Sequence, residues 1–152
     1  MIKVAIISKT DENWAALETT SEADAVYEKI KLALINLSRE ETLWLLSPMN
    51  RGYETMAAEL AIRLGGNIRL ECVIPFEEQA KDWYEPERDR YFGIIENCEK
   101  ETLLSTEKGE KSEKLCYSYI INAANLMLVG TPPSDEVAEL INDSGKKVIN
   151  IT

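Results

Sequence analysis

Leu43-Trp44-Leu45-Leu46-Ser47-Pro48-Met49-Asn50-Arg51-Gly52-Tyr53-Glu54-Thr55-Met56-Ala57-Ala58-Glu59 sets the architecture of this chain. Its first four residues form a short, continuous apolar run, the signature of a strand buried on both faces. Pro48 and Gly52 break the chain. Ala57, Leu60, Ala61 and Leu64 then return at helical spacing, and Gly65-Gly66 stops the helix with residues that tolerate a left-handed backbone. A strand running through a turn into a helix is the unit from which parallel α/β sheets are built.

The same unit recurs on either side. Upstream, Lys3-Val4-Ala5-Ile6-Ile7 reads as a strand. After a polar stretch, Ser21-Glu22-Ala23-Asp24 resembles a capping box ahead of Val26, Ile30, Ala33, Leu34 and Leu37 on one helical face. Downstream, Ile68 to Ile74 alternates apolar residues with Arg69 and Glu71, a pattern that suits a sheet edge. A helix opens near Pro86 with Tyr91, Ile94, Ile95 and Cys98 as its apolar face. Thr102 to Ser105 reads as a fourth strand, followed by a charged loop in which Glu107, Glu110 and Glu113 alternate with Lys108, Lys111 and Lys114. Then come a helix around Leu115 to Ala124, the strand Leu126 to Val129, a helix capped by Ser134 and a last strand, Val148 to Ile151.

The expected architecture is a single domain over residues 1–152 with an open, doubly wound, mostly parallel sheet of six strands and helices on both faces. The order 3-2-1-4-5-6 places the half-polar third strand at an edge. Ligands of such sheets bind beyond the carboxyl ends of the strands, where strand order reverses. Attention therefore falls on the residues following Ile7, Leu46, Ile74, Leu104 and Val129.

Composition narrows the chemistry. Histidine is absent, which excludes Ser-His-Asp and Cys-His catalysis and every His-containing metal site; no metal is expected. Cys72, Cys98 and Cys116 form no local ligand pair and read as reduced thiols. With 27 acidic and 17 basic side chains the net charge is −10, which opposes association with nucleic acid or an anionic membrane. No long apolar segment or leader pattern is present, so a cytoplasmic location is expected. Neither GxxxxGK[ST] nor GxGxxG after the first strand occurs.

Two stretches carry the candidate site. In the first, Gly52 lacks a side chain where a helix opens, so a ligand can approach backbone amides, and Glu54 can accept hydrogen bonds from ribose hydroxyls. The plainer reading, which the spacing alone favours, is that Gly52 makes the turn and Glu54 favours the helix dipole. In the second, Ile74-Pro75-Phe76-Glu77-Glu78-Gln79-Ala80-Lys81-Asp82-Trp83, the rings of Phe76 and Trp83 can stack on a base and Gln79 can donate and accept. Here too, composition alone favours rings that simply cover the sheet.

Taken together, Ser47, Arg51-Gly52-Tyr53-Glu54-Thr55-Met56-Ala57-Ala58-Glu59 and Pro75-Phe76-Glu77-Glu78-Gln79-Ala80-Lys81-Asp82-Trp83 resemble the YpsA-like branch of the SLOG superfamily over about residues 1–130. The resemblance implies a Rossmann-like domain binding a nucleotide or nucleotide-derived molecule, and self-association of the chain. By position it implies Ser47, Met49, Gly52, Glu54, Pro75, Phe76, Gln79, Trp83, Gly130 and Thr131 as ligand-binding residues. Pro48 stands where the family usually has glycine, and Pro132-Pro133 follows Gly130-Thr131, so both turns lack amide donors. A binding or sensor protein is the leading expectation. An N-glycosidic-bond hydrolase or transferase using Glu54 or Glu59, and an interaction scaffold without ligand, stay open.

Overall fold

The structure is a computed structural model describing residues 1–109 and 111–152; of the charged loop, Glu110 lies outside the described residues. Six strands alternate with six helices: β1 (Ile2–Ile7), α1 (Trp14–Leu17), α2 (Ser21–Leu37), β2 (Leu43–Ser47), α3 (Tyr53–Leu64), β3 (Ile68–Ile74), α4 (Glu85–Asn97), β4 (Lys100–Leu103), α5 (Ser112–Ala123), β5 (Leu126–Val129), α6 (Asp135–Asp143) and β6 (Lys147–Asn150). Every strand pair is parallel.

Alternation along each strand sends its side chains into two cores. Val4 and Ile6 of β1 join residues of α2, α3 and α4, whereas Ala5 and Ile7 join Ile120 and Ile121 of α5 and Val137 and Ile141 of α6. The chain thus has the Rossmann-like α/β fold expected.

The strand order differs from the expected 3-2-1-4-5-6: it is β4-β3-β2-β1-β5-β6. β3 is interior, covered by β4, and its charges do not mark an edge. Arg69 folds back to the carbonyls of Gly66 and Ile68 at 2.6 and 3.2 Å. Glu71 is 3% exposed and accepts from Trp44 Nε1 at 2.8 Å, Thr102 Oγ1 at 2.7 Å and Tyr119 Oη at 3.0 Å. A buried carboxylate supplied with three donors is tolerated inside a sheet. The true edge on that side is β4, largely exposed.

Smaller shifts have local causes. Thr20, not Ser21, caps α2, its Oγ1 accepting from Ala23 N at 3.2 Å. The fourth and sixth strands begin two residues and one residue earlier than the pattern suggested, at Lys100 and Lys147. The polar stretch after β1 contains α1, anchored by Trp14, whose ring meets that of Tyr53 edge-on at 5.4 Å. Cys72 and Cys116 are buried, Cys98 is half-buried, and all three are free thiols. No helix among the described residues is long and apolar enough to cross a membrane.

Candidate functional site

Beyond the ends of β2 and β3 the chain opens into a crevice of about 370 Å³, within the range of small-molecule sites. Asn50 follows β2, Pro75 and Phe76 follow β3, and Ser112, Cys116 and Tyr117 of α5 close the far wall. Phe76 is half-buried, with the Lys108 ammonium 5.8 Å from its ring centre. This crevice does not lie where strand order reverses. The reversal falls between β1 and β5, and there the backbone pairing continues past the strands: Gly130 N donates to Ile7 O at 2.9 Å and Lys9 N to Thr131 O at 2.7 Å. Gly130 permits this because a Cβ on it would lie 2.7 Å from Ser8 Oγ.

Beneath the crevice lies a buried polar network. Glu54, 1% exposed, sits in the first turn of α3 with no cation paired to it among the described residues. Its Oε2 accepts from Tyr117 Oη at 2.6 Å and Ser8 N at 3.1 Å; its Oε1 accepts from Asn50 Nδ2 at 3.0 Å and Asn50 N at 3.1 Å. Four donors fill the four accepting positions of a carboxylate. Burial pushes the Glu54 carboxyl up to about 7, with Tyr117, Ser8 and Asn50 pulling back in that order. Burial, and next the Glu54 charge, hold the Tyr117 phenol well above its ordinary value.

The network continues away from Glu54. Asn50 Nδ2 also donates to Tyr117 Oη at 3.1 Å. Asn50 Oδ1 accepts from Gln79 Nε2 at 3.0 Å, and that same nitrogen donates to Pro48 O at 2.9 Å. Gln79 Oε1 accepts from Tyr91 Oη at 3.0 Å. Ser47 fixes the turn from below, its Oγ donating to Glu54 O at 2.9 Å and accepting from Met49 N at 3.2 Å. Met49 is wholly buried and holds a φ of 64°, an uncommon conformation for a residue with a side chain.

The residues named from sequence thus part company. Pro75 and Phe76 line the crevice; Ser47, Met49, Glu54 and Gln79 lie buried under it. Gly52, with φ 122° and ψ −140°, adopts a conformation open essentially only to glycine. The space its missing side chain leaves is bordered by the protein itself: a Cβ on Gly52 would stand 3.5 Å from Lys9 O and 3.7 Å from Asp11 N, the amide that donates to Arg51 O. Gly52 and Thr131 instead border a smaller crevice of about 260 Å³ on the other side of the β1–α1 loop, with Lys9, Asp11 and Tyr53. The Tyr53 hydroxyl is buried there without a hydrogen-bond partner among the described residues, and its phenol is raised by burial, then by Glu22 and Asp11.

Trp83 stands apart from both openings, under the Arg51 guanidinium at 5.1 Å and edge-on to Tyr91. Glu59 faces away from the strand ends, held by Arg90 at 2.8 Å and Arg63 at 3.3 Å. Asn50 and Tyr117 carry the site's polar geometry, although neither stands out in the sequence as a site residue. An Asn just past a strand end is the one visible signal, and nothing local marks Tyr117. Among the described residues, no group of three or more Cys, Asp and Glu converges as metal ligands.

Fold and crevice define the class: a parallel, doubly wound α/β domain with a ligand-sized opening at the carboxyl ends of its strands. Within that class the chain belongs to the YpsA family of SLOG proteins, since the family described as "YspA SLOG family" matches residues 16–130. It is 30% identical over 83 residues to the UPF0398 protein YpsA of Bacillus subtilis (strain 168). That match takes in 53% of this chain and 46% of the relative, so it spans about half of the relative's length.

Proposed function

We propose that this chain is a ligand-binding domain that takes a nucleotide-derived molecule in the crevice between Asn50, Phe76 and Tyr117. The observation that carries the reading is the pairing of a half-buried aromatic wall, Phe76 on Pro75, with a preorganised polar floor in one opening of about 370 Å³. A planar ring fits against Phe76, and Lys108 brings positive charge to the rim of an otherwise acidic protein. Membership of the SLOG superfamily supports a nucleotide-derived guest. In this reading Glu54 does not touch the guest; it holds Asn50 and Tyr117 in place. Pro48 and Pro132-Pro133 do not line the opening, so neither turn favours the scaffold reading. The filled accepting positions of Glu54 and the arginine pairing of Glu59 leave neither carboxylate named for the hydrolase reading free to act, and the carboxylate that lines the crevice is instead Glu113.

Calorimetry with a panel of nucleotides, nucleotide sugars and ADP-ribose tests the proposal. At least one compound is expected to bind, and Phe76→Ala to weaken it by about tenfold, the usual contribution of one base–aromatic stack, without lowering thermal stability comparably. A panel that gives no heat and no thermal shift overturns the reading.

A further inference from the structure

Among the described residues, the hydrogen-bond network leaves the half-buried Asn50 side chain with one unused bonding position, and its chemistry is fixed. Asn and Gln amides can each be placed in two ways, and only their surroundings decide between them. Here both ends of the network are pinned. Pro48 O can only accept, so the Gln79 atom 2.9 Å away is its NH2 nitrogen. That nitrogen lies 3.0 Å from Asn50, which must therefore turn its oxygen toward Gln79. At the other end Glu54 Oε1 requires a donor from Asn50 at 3.0 Å, which gives the same orientation independently. Both hydrogens of Asn50 Nδ2 are then consumed, one by Glu54 and one by Tyr117 Oη. What remains is a single lone pair on Oδ1.

We propose that Asn50 is the specificity-determining residue of the crevice: it offers a guest an acceptor and no donor, and so selects a planar ring bearing an amino or other N–H group on the edge that meets it. Of the other polar groups along the wall, the hydroxyls of Thr10 and Ser112 turn their protons freely, the Tyr117 proton is committed to Glu54, and the exposed Lys108 ammonium and Glu113 carboxylate sit in solvent on long side chains, so all of these discriminate less than the fixed Asn50 amide. A guest presenting only acceptors to Asn50 would set two lone pairs against each other, whereas an amino-substituted ring gains a hydrogen bond. This inference rests on the ligand-binding reading above and adds to it which ring edge is chosen.

The test compares adenosine 5′-monophosphate with purine riboside 5′-monophosphate, which share ring, sugar and phosphate and differ by one amino group. Binding to the whole chain is measured at pH 8.5 by calorimetry. The amino compound is expected to bind about tenfold more tightly, the contribution of one good hydrogen bond. Asn50→Ala is expected to bring that ratio close to one, while Phe76→Ala weakens both compounds and leaves the ratio unchanged. Equal affinities in the unsubstituted protein overturn the inference and leave the ligand-binding reading standing, a result that needs no variant to fold. A ratio that survives Asn50→Ala also overturns it. Failure of both compounds to bind, with the wider nucleotide panel silent, overturns the underlying reading instead.

Discussion

Glu54 and Glu71 are both carboxylates buried to within a few per cent, and neither has a cation within ion-pairing distance among the described residues. They differ in who supplies the donors. Around Glu71 these are the side chains of Trp44, Thr102 and Tyr119, all half-buried, on two neighbouring strands and α5. Around Glu54 two of the four are main-chain amides, from the ends of β1 and β2, and a third is the buried Tyr117 hydroxyl. One carboxylate stitches a sheet to its edge and a helix; the other moulds loops into the floor of a crevice. A buried charge therefore acquires its role from the mobility of its donors, since side chains can turn to water if it is removed and a buried loop amide cannot.

Replacing each by leucine should expose this contrast. Glu54→Leu strands Ser8 N, Asn50 N and Tyr117 Oη, and is expected to lower unfolding free energy by roughly 3–5 kcal/mol, at about 1–3 kcal/mol for each buried donor left unsatisfied and partly relieved by relaxation. Glu71→Leu is expected to cost about 1–3 kcal/mol, because its half-buried donors can be rehydrated. Chemical denaturation measures both, and equal losses would dissolve the distinction.

Acid should act on Glu54 next. The folded-state value of Glu54, about 7, lies above its ordinary 4.5, so the folded chain holds this proton more tightly than the unfolded chain does. Its contribution to stability is therefore complete below about pH 4.5 and lost as pH rises through 7. The loss amounts to roughly 3 kcal/mol at 1.36 kcal/mol per pH unit. Denaturation between pH 5 and 8 should show the stability of the parent chain falling relative to Glu54→Gln over that interval. A difference independent of pH would remove Glu54 as the titrating group.

The gentlest probe works through Gly130. A methyl there crowds Ser8 Oγ at 2.7 Å and Ser8 Cβ at 3.2 Å, and Ser8 N is one of the donors to Glu54. Gly130→Ala is expected to destabilise by about 1–2 kcal/mol, as other small overpacking changes do. Adding Ser8→Gly should recover part of that loss despite the flexibility glycine introduces. A double-mutant cycle showing no coupling between the two positions would mean that the strand ends adjust independently.

Much of this fold is legible in the sequence because its signals are local. Leu43 to Leu46, the helical stripe ending at Gly65-Gly66 and the cap at Ser134 each announce an element within a few residues. Strand order is not legible, because it turns on Glu71, whose polarity suggests an edge until Thr102 and Tyr119, 31 and 48 residues away in sequence, are seen to satisfy it. The site divides in the same way. Ser47, Gly52 and Glu54 mark a turn into a helix through their spacing, and Pro75-Phe76 mark a strand end. The task of Glu54 depends on Ser8 and Tyr117, 46 and 63 residues distant, and Gly52 is needed for its φ of 122° rather than for the space it leaves beside Lys9 and Asp11. Trp83 satisfies the motif, yet its ring is taken up by Arg51 and Tyr91.

The one-way run of donors from Tyr91 to Glu54 also limits how far an added proton can be felt. Oε1 of Glu54 faces two Asn50 donors that cannot reverse, so a proton settles on Oε2, where Tyr117 can rotate its hydroxyl and accept. The disturbance stops at that swivel, because Pro48 anchors Gln79 and Gln79 anchors Asn50. Mild acid is absorbed between Glu54 and Tyr117, and the Asn50 amide keeps its orientation across the neutral range.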